Sequence, residues 1–322
     1  MPWRGILGDE KGQRALAVAR ELAADPRIAA ISVTDNAGGH SRVSPATLAE
    51  EFVDRGLQTI VHVACRDRNR GALESLGYEL ASRGMSNVLA LSGDYPVEGY
   101  GGLARPIFDL DSVALLRMYS DLEAELAGRP LAPGARPFDG FFLGCAVNNH
   151  KRHEREVMPQ YLKLAMKVRN GADFVISQLG YDARKQDELL RYMRLHGLTV
   201  PAIANAYILG LGVARAFHEG RVPGCVVSDE LFAICEREAA SPDKGRAFFL
   251  EFAARQVAIA RGLGYAGIYL SGHRNAGEID TILRTADSYA PDDWRAFARE
   301  MRYPLPGDLR QYRQQRQHCP QL

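Results

Sequence analysis

The chain has 322 residues, 46% of them hydrophobic and 25% charged, with 40 Lys and Arg residues against 39 Asp and Glu residues. The resulting net charge of +1 excludes a strongly basic nucleic-acid-binding protein and a strongly acidic disordered chain. No apolar run approaches the roughly 20 residues of a membrane span, and the first residues lack the apolar segment of a secretory signal. We therefore expect a cytoplasmic protein with neither a nucleic-acid partner nor a membrane partner.

The five cysteines are widely spaced, and no two of them form a Cys-x-x-Cys pair. This pattern argues against a disulfide framework and against a structural metal site. It is typical of a protein that works in a reducing compartment.

Seven short runs rich in β-branched and aromatic residues predict strands. They cover residues 28–35, 59–66, 87–94, 138–147, 174–178, 201–209 and 265–272. Several runs are apolar on both faces, as expected for strands that are buried between two layers. Because helical patterns alternate with these runs, the sequence predicts a parallel sheet in an α/β fold, and a (β/α)₈ TIM barrel fits this order.

Helix start and stop signals predict the connecting helices. They cover residues 12–24, 45–56, 70–83, 113–126, 154–170, 182–196, 228–240, 244–262 and 277–288, and Ser44 is predicted to cap the second one. Since a helix precedes the first predicted strand, we expect the first barrel strand to be truncated or to lie just upstream of Met1. We expect one barrel domain over residues 1–302 and a polar tail over residues 303–322.

Two motifs favour structural interpretations. Residues 262–267 match GxGxxG, but they follow a helix and open a strand, so we interpret them as a helix cap and a tight turn. The charged segment 66–70 is interpreted as the start of a helix that carries a solvated cluster of charges. We find no P-loop, hydrolase or zincin motif.

Polar residues lie within or directly after the predicted strands, at the barrel edge where binding groups collect. The glycine-rich turn after Thr34 is either an ordinary turn or one that lets a phosphate or a ring approach. Asp94 either accepts hydrogen bonds from a heterocycle or forms an Asx turn before Pro96. His62 is either a core histidine or a ligand contact, and Gln178 serves either the fold or a ligand.

Other candidates are less sharply defined by the sequence. Lys163 and Lys167 share one helix face, which is either solvated or close enough to reach a diphosphate. Further polar residues at the predicted strand ends are Asp35, Asn36, Gly93, Asn148, Asn149, His150, Asn205, Ser271, His273 and Arg274.

Five segments together resemble the methylenetetrahydrofolate reductase family: SVTDNAGG, IVHVACRDRNR, NVLALSGDYP, GCAVNNH and KVRNGADFVISQ. The resemblance is strong over residues 28–180 and looser over 200–274. It implies a (β/α)₈ barrel that binds FAD and takes electrons from NADH or NADPH. It further implies reduction of 5,10-methylenetetrahydrofolate to 5-methyltetrahydrofolate in one-carbon metabolism, with hydride passing through flavin N5.

The resemblance also implies roles for individual residues. Asp94 corresponds to the aspartate beside the flavin and the pterin, and Gln178 to a glutamine that contacts the pterin and the nicotinamide. Arg274 corresponds to an arginine that holds the folate tail. The implied cofactor-binding residues are Thr34, Ala37, His62, Gly93, Asp94, His150 and Lys167, and no metal is implied.

Three departures from the family pattern leave alternatives open. Pro2 matches a family proline, so the general-acid glutamate before it would fall upstream of Met1. Ser92 stands in place of the usual arginine, and Asp35 and Asn36 replace aromatic and small residues. The alternatives are a non-catalytic flavin- or folate-binding subunit and a related barrel acting on another one-carbon carrier. Either a homo-oligomer or a partner subunit is compatible with the sequence.

Overall fold

A computed structural model describes residues 5–304 of the chain. This part contains seven parallel strands that alternate with helices, which makes an α/β fold. The strands are β1 Ile31–Val33, β2 Thr59–Ala64, β3 Asn87–Leu91, β4 Phe142–Val147, β5 Phe174–Ser177, β6 Ala202–Tyr207 and β7 Gly267–Ser271. All seven predicted strands are confirmed, and each is shorter than its apolar run because the run extends into the neighbouring turn.

The helices are α1 Glu10–Ala23, α2 Pro45–Val53, α3 Arg70–Ser82, α4 Ser112–Leu126, α5 Glu154–Arg169, α6 Ala183–Leu195, α7 Leu211–His218, α8 Asp229–Ala239, α9 Arg246–Leu263, α10 Ala276–Asp287 and α11 Asp293–Glu300. Nine of them were predicted, while α7 and α11 were missed because each has only eight residues. Helices this short depend on packing for stability, and Phe217 of α7 and Ala298 of α11 both lie in a buried cluster.

Side-chain caps explain most of the helix starts. Asp9 accepts from Gly12 N at 2.7 Å, and Asn69 accepts from Ala72 N at 2.9 Å. Ser44 lies at the N-cap of α2 and Pro45 at its first position, as predicted, although the Ser44 side chain makes no cap hydrogen bond. The fixed φ of Pro45 suits a first helical position. The interpretation of segment 262–267 is confirmed, since Gly264 ends α9 at φ 92°.

The described chain divides into two compact units, which contain residues 5–146 with 166–174 and residues 147–165 with 175–304. In the first unit, neighbouring strands pair in parallel, with Ile31 opposite Thr59 and Val61 opposite Val88. In the second unit, Ile176 lies opposite Ile203. Because parallel strands point the same way, the residues that follow them collect at one edge of each unit.

Each unit has its own buried core. In the first, Gly144 lies so close to the Phe174 ring that an added Cβ would come closer than 3.0 Å, so this strand position requires glycine. In the second, aromatic residues such as Phe249 and Phe252 fill the cluster around Tyr181. Within residues 5–304, no helix is long and apolar enough to cross a membrane. Pro2 and all but the first two residues of the predicted tail lie outside the described residues.

Candidate active site

The carboxyl ends of β1 and β3 bring Thr34 and Asp94 to one edge of the first unit. The Asp94 side chain is exposed, and its Oδ2 accepts a hydrogen bond from Gly38 N at 3.0 Å. Ala37 lies next to Gly38 and is also exposed. Thr34 Oγ1 is buried and has no hydrogen-bond partner among residues 5–304. The site thus presents one solvent-facing carboxylate and one buried, unsatisfied hydroxyl.

The turn after β1 and the loop after β3 approach each other closely through glycine. Val97 N donates to Gly39 O at 3.1 Å, and an added Cβ on Gly39 would come within 3.0 Å of the Tyr95 carbonyl oxygen. Gly93 adopts φ 90°, which a residue with a side chain rarely tolerates. These glycines therefore set how close the two loops can come.

The charged segment after β2 is not fully solvated, so that part of its interpretation is wrong. Asn69 does cap α3, but Arg66 is only 1% exposed. Its guanidinium pairs with the Asp67 carboxylate, and its Nη1 donates to the Asp94 carbonyl oxygen at 2.7 Å. A sequence run of alternating charges gives no sign that one of them is buried, because burial depends on loops distant in the chain.

Asp35 and Asn36, which differ from the family pattern, form hydrogen bonds within the protein. Asp35 Oδ2 accepts from Ala64 N at 3.0 Å and from Arg68 Nη1 at 2.5 Å. Asn36 Nδ2 donates to Asp67 Oδ2 at 3.0 Å. Both side chains therefore hold the turn after β1 in place.

His62 and Lys167 are both buried in the first unit. His62 Nε2 lies 2.6 Å from Ser32 Oγ, and burial lowers the pKa of His62 to about 4, so this ring is neutral at pH 7. Lys167 Nζ donates to the Ala146 carbonyl oxygen at 2.6 Å. The alternative that the helix face carrying Lys163 and Lys167 is solvated is therefore wrong for Lys167. Burial also raises the pKa of the nearby Cys145 to about 11, which keeps that thiol protonated.

In the second unit, two side-chain amides face the backbone of Gly224. Gln178 Oε1 accepts from Leu179 N at 2.9 Å, which orients the amide, and Asn148 Nδ2 donates weakly to Gly224 O at 3.4 Å. An added Cβ on Gly224 would lie 3.1 Å from Asn148 Nδ2 and 3.5 Å from Gln178 Nε2. Sequence reasoning missed Gly224, although Pro223-Gly224 is a turn signal.

His150, which is half-buried, belongs to a chain of hydrogen bonds that includes the buried Tyr265. Tyr265 OH donates to Gln186 Oε1 at 2.7 Å, and Gln186 Nε2 lies 3.2 Å from His150 Nε2. The amide can only donate at its nitrogen, so His150 Nε2 accepts and Nδ1 carries the proton. The pKa of His150 is lowered to about 4, chiefly by burial, so this histidine is also neutral at pH 7.

The end of β7 carries the last predicted site residue. Arg274 is exposed, and its backbone N–H donates to Glu278 Oε2 at 2.6 Å, just before the start of α10. On the neighbouring strand β6, Asn205 Oδ1 is buried without a hydrogen-bond partner in the described part of the chain. Polar groups therefore also occupy this edge of the second unit.

A family model indicates the family of this chain, and one relative of known sequence is similar to part of it. The family model for methylenetetrahydrofolate reductase matches residues 9–257. A 5,10-methylenetetrahydrofolate reductase from Pectobacterium carotovorum subsp. carotovorum is 28% identical over 102 residues, which are 31% of this chain and 33% of that protein. The aligned part thus spans about a third of that relative.

A solved structure shares the fold. A protein from Clostridium thermocellum that binds two copies of 5-methyl-5,6,7,8-tetrahydrofolic acid matches with a TM-score of 0.60 and 13% identity, over 88% of this chain and 90% of that one. The family model covers well over half of the residues, and the motifs after β1, β2, β3 and β5 lie inside the matched range. The chain therefore belongs to the methylenetetrahydrofolate reductase family.

Proposed function

We propose that this protein reduces 5,10-methylenetetrahydrofolate to 5-methyltetrahydrofolate, with FAD as bound cofactor and NADH or NADPH as electron donor. Membership of the family, over residues 9–257, is the observation that carries the proposal. The proposal includes an eight-stranded (β/α)₈ barrel as one domain over residues 1–302, to which the described residues contribute seven strands.

The residues at the strand ends fit a flavin. Thr34 Oγ1 is a buried hydroxyl with no partner within residues 5–304, and a flavin ring offers both N–H donors and carbonyl acceptors. Gly93 has φ 90°, a conformation that glycine adopts without strain, and it sets the course of the backbone just before Asp94. FAD, when bound, supplies the hydride chemistry, while the protein supplies orientation and charge. We assign its binding to Thr34, Ala37, His62, Gly93, Asp94, His150 and Lys167.

Asp94 is the residue that acts on the reacting part of the folate. Its carboxylate is exposed, and Gly38 N holds one of its two oxygens. A fixed negative charge attracts the cationic iminium form of the methylene folate, which is the form that accepts hydride. Asp94 thus favours the reactive form of the substrate.

The amide of Gln178 is preoriented for a ligand. Leu179 N occupies its oxygen, so the Nε2 group is presented as a donor to a carbonyl or ring nitrogen of the folate or the nicotinamide. Arg274, exposed after β7, is assigned to the carboxylates of the folate tail. These two residues bind and orient the substrate.

His62 and His150 contribute hydrogen bonds without charge. At pH 7 both are neutral, because burial lowers the pKa of His62 and of His150 to about 4. A neutral imidazole can hold a ring nitrogen or a carbonyl without changing the net charge of the site. Among the residues assigned to the reacting part of the folate, Asp94 therefore supplies the charge.

A spectroscopic titration tests the function. The purified 322-residue chain is examined for a visible flavin spectrum, with added FAD where necessary, and reduced anaerobically with NADH or NADPH. Addition of 5,10-methylenetetrahydrofolate is expected to restore the oxidised spectrum and to yield 5-methyltetrahydrofolate. A flavin that no folate reoxidises would support the non-catalytic alternative. Reoxidation by a different one-carbon carrier would show that this carrier is the substrate. A folded protein that binds no flavin would refute the proposal.

A further inference from the structure

Arg66 is a buried cation at the carboxyl end of β2, with 1% of its surface exposed. Its Nε donates to Asp67 Oδ1 at 2.8 Å, and its Nη2 donates to Asp67 Oδ2 at 2.5 Å. This bidentate pairing lowers the pKa of Asp67 and raises that of Arg66. A buried charge is costly unless it is paired and hydrogen-bonded, so each arm of this guanidinium has a structural role.

The remaining nitrogen joins two loops that are distant in sequence. Arg66 Nη1 donates to the Asp94 carbonyl oxygen at 2.7 Å and to the Asn36 carbonyl oxygen at 3.3 Å. The Arg66 carbonyl oxygen in turn accepts from Ile107 N at 2.8 Å. One residue therefore connects the turn after β1, the loop after β3 and the segment before α4.

The backbone beside these contacts is held in an unusual conformation. Asn36 has φ 43° and Phe108, which follows Ile107, has φ 45°. Asparagine adopts the left-handed conformation more readily than most residues with a side chain, but for phenylalanine it is a real outlier that persists only where the surroundings impose it. Gly93 would place an added Cβ 3.0 Å from Arg66 Cβ, so the arginine passes directly against the backbone before Asp94.

We infer that Arg66 is a positioning residue for Asp94, an inference that rests on the proposed function. Asp94 is held at two points, its carbonyl oxygen by Arg66 and its carboxylate by Gly38 N. Gly38 follows Asn36 by two residues, and the Asn36 carbonyl is held by the same Arg66 nitrogen. Both supports of Asp94 therefore depend on this one guanidinium, which is linked to the carboxylate only through backbone groups.

Lysine is the informative replacement, because it keeps the charge but lacks the planar fork. Arg66→Lys can satisfy Asp67 or the two carbonyl oxygens, but not all of them together. Arg117→Met is the matched control, since Arg117 forms an exposed i,i+4 ion pair with Asp121 on α4. A misplacement of about 1 Å at a reacting group costs about 10²-fold in rate. We expect that loss in kcat for Arg66→Lys, with the flavin dissociation constant within about threefold of wild type.

A double-mutant cycle separates positioning from a general structural role. If Arg66 acts through Asp94, then Arg66→Lys combined with Asp94→Asn is no slower than Asp94→Asn by itself. The inference would be overturned if the two substitutions together lowered kcat by the product of their separate effects. It would also be overturned if Arg66→Lys kept the wild-type kcat. A general loss of packing would instead lower kcat in both backgrounds alike.

Hydrogen exchange tests the same inference without any assay of turnover. We expect the backbone N–H groups of residues 36–40 and of Asp94, Tyr95, Val97 and Glu98 to exchange about tenfold faster in Arg66→Lys, the effect of losing one hydrogen bond to a charged group. Arg117→Met should leave these amides unchanged. Unchanged protection in Arg66→Lys would refute the positioning role, whereas absence of folate reduction in the wild type would refute only the proposed function.

Discussion

Gly180→Ala is expected to disturb His150 by direct steric conflict. An added Cβ at Gly180 would come closer than 3.0 Å to three atoms of the His150 ring. To restore ordinary contact the ring must move by roughly 1 Å, which breaks the 3.2 Å contact between His150 Nε2 and Gln186 Nε2. The conflict therefore disrupts the hydrogen bond that fixes the tautomer of His150.

The size of the effect follows from three contributions. Overpacking costs about 1–3 kcal/mol, and the lost hydrogen bond costs about 1 kcal/mol. In the opposite direction, replacing glycine by alanine restricts the unfolded chain, which raises the free energy of unfolding by about 0.4–1 kcal/mol. The net loss is about 2 kcal/mol. With an unfolding entropy of about 2.1 cal/mol/K per residue, that corresponds to a Tm lower by roughly 3 °C.

Gly212→Ala is the matched control in the same unit. Gly212 lies in α7, and an added Cβ there meets nothing within 4 Å. Alanine should therefore raise stability by about 0.5–1 kcal/mol, the usual gain within a helix. Calorimetry of both variants, with a flavin titration of each, checks the prediction. A Tm for Gly180→Ala equal to that of the wild type would show that the ring adapts freely, and the reasoning would fail.

Three further predictions concern the site and the two histidines. Asp94→Asn should lower the rate of folate reduction about 10²-fold and leave flavin affinity nearly unchanged, as stopped-flow reoxidation and flavin titration would show. Gln178→Ala should raise KM for the folate about tenfold in steady-state kinetics, because one oriented hydrogen-bond donor is lost. Burial lowers the pKa of both His62 and His150 from 6.5 to about 4, so their stabilisation is fully present above pH 6.5 and is lost as the pH falls toward 4. The free energy of unfolding, measured by denaturant titration, should fall by up to about 3 kcal/mol per histidine over that window.

Each of these three predictions has a clear contrary result. Equal losses of turnover and flavin affinity in Asp94→Asn would limit that residue to cofactor binding and refute its role on the substrate. An unchanged KM for the folate in Gln178→Ala would show that Gln178 does not make the assigned contact with the substrate. A free energy of unfolding that is flat between pH 6.5 and 4 would mean that both rings are already protonated or solvated, and a His62→Gln variant should lose about half of the dependence.

The local pattern of the chain determined the seven strands, nine of the helices and the edge at which polar residues collect. These features depend on residues close in sequence, such as the Asp9 and Asn69 caps and the glycine that ends α9. The family motifs likewise lie at the strand ends, so Thr34, Asp94 and Gln178 could be singled out without coordinates. The boundaries were less accurate, because the apolar runs extend beyond the strands into the adjoining loops on one or both sides.

The tertiary structure decided which polar residues are buried and which groups they form hydrogen bonds with. Arg66 and the Asp94 carbonyl are 28 residues apart, and Tyr265 and Gln186 are 79 apart, so no periodicity in the sequence links them. The same holds for the close approaches at Gly180 and Gly224, which depend on loops that meet only after folding. Because the cost of burying a charge or a side chain is set by all of its neighbours together, it becomes visible only when those neighbours are in place.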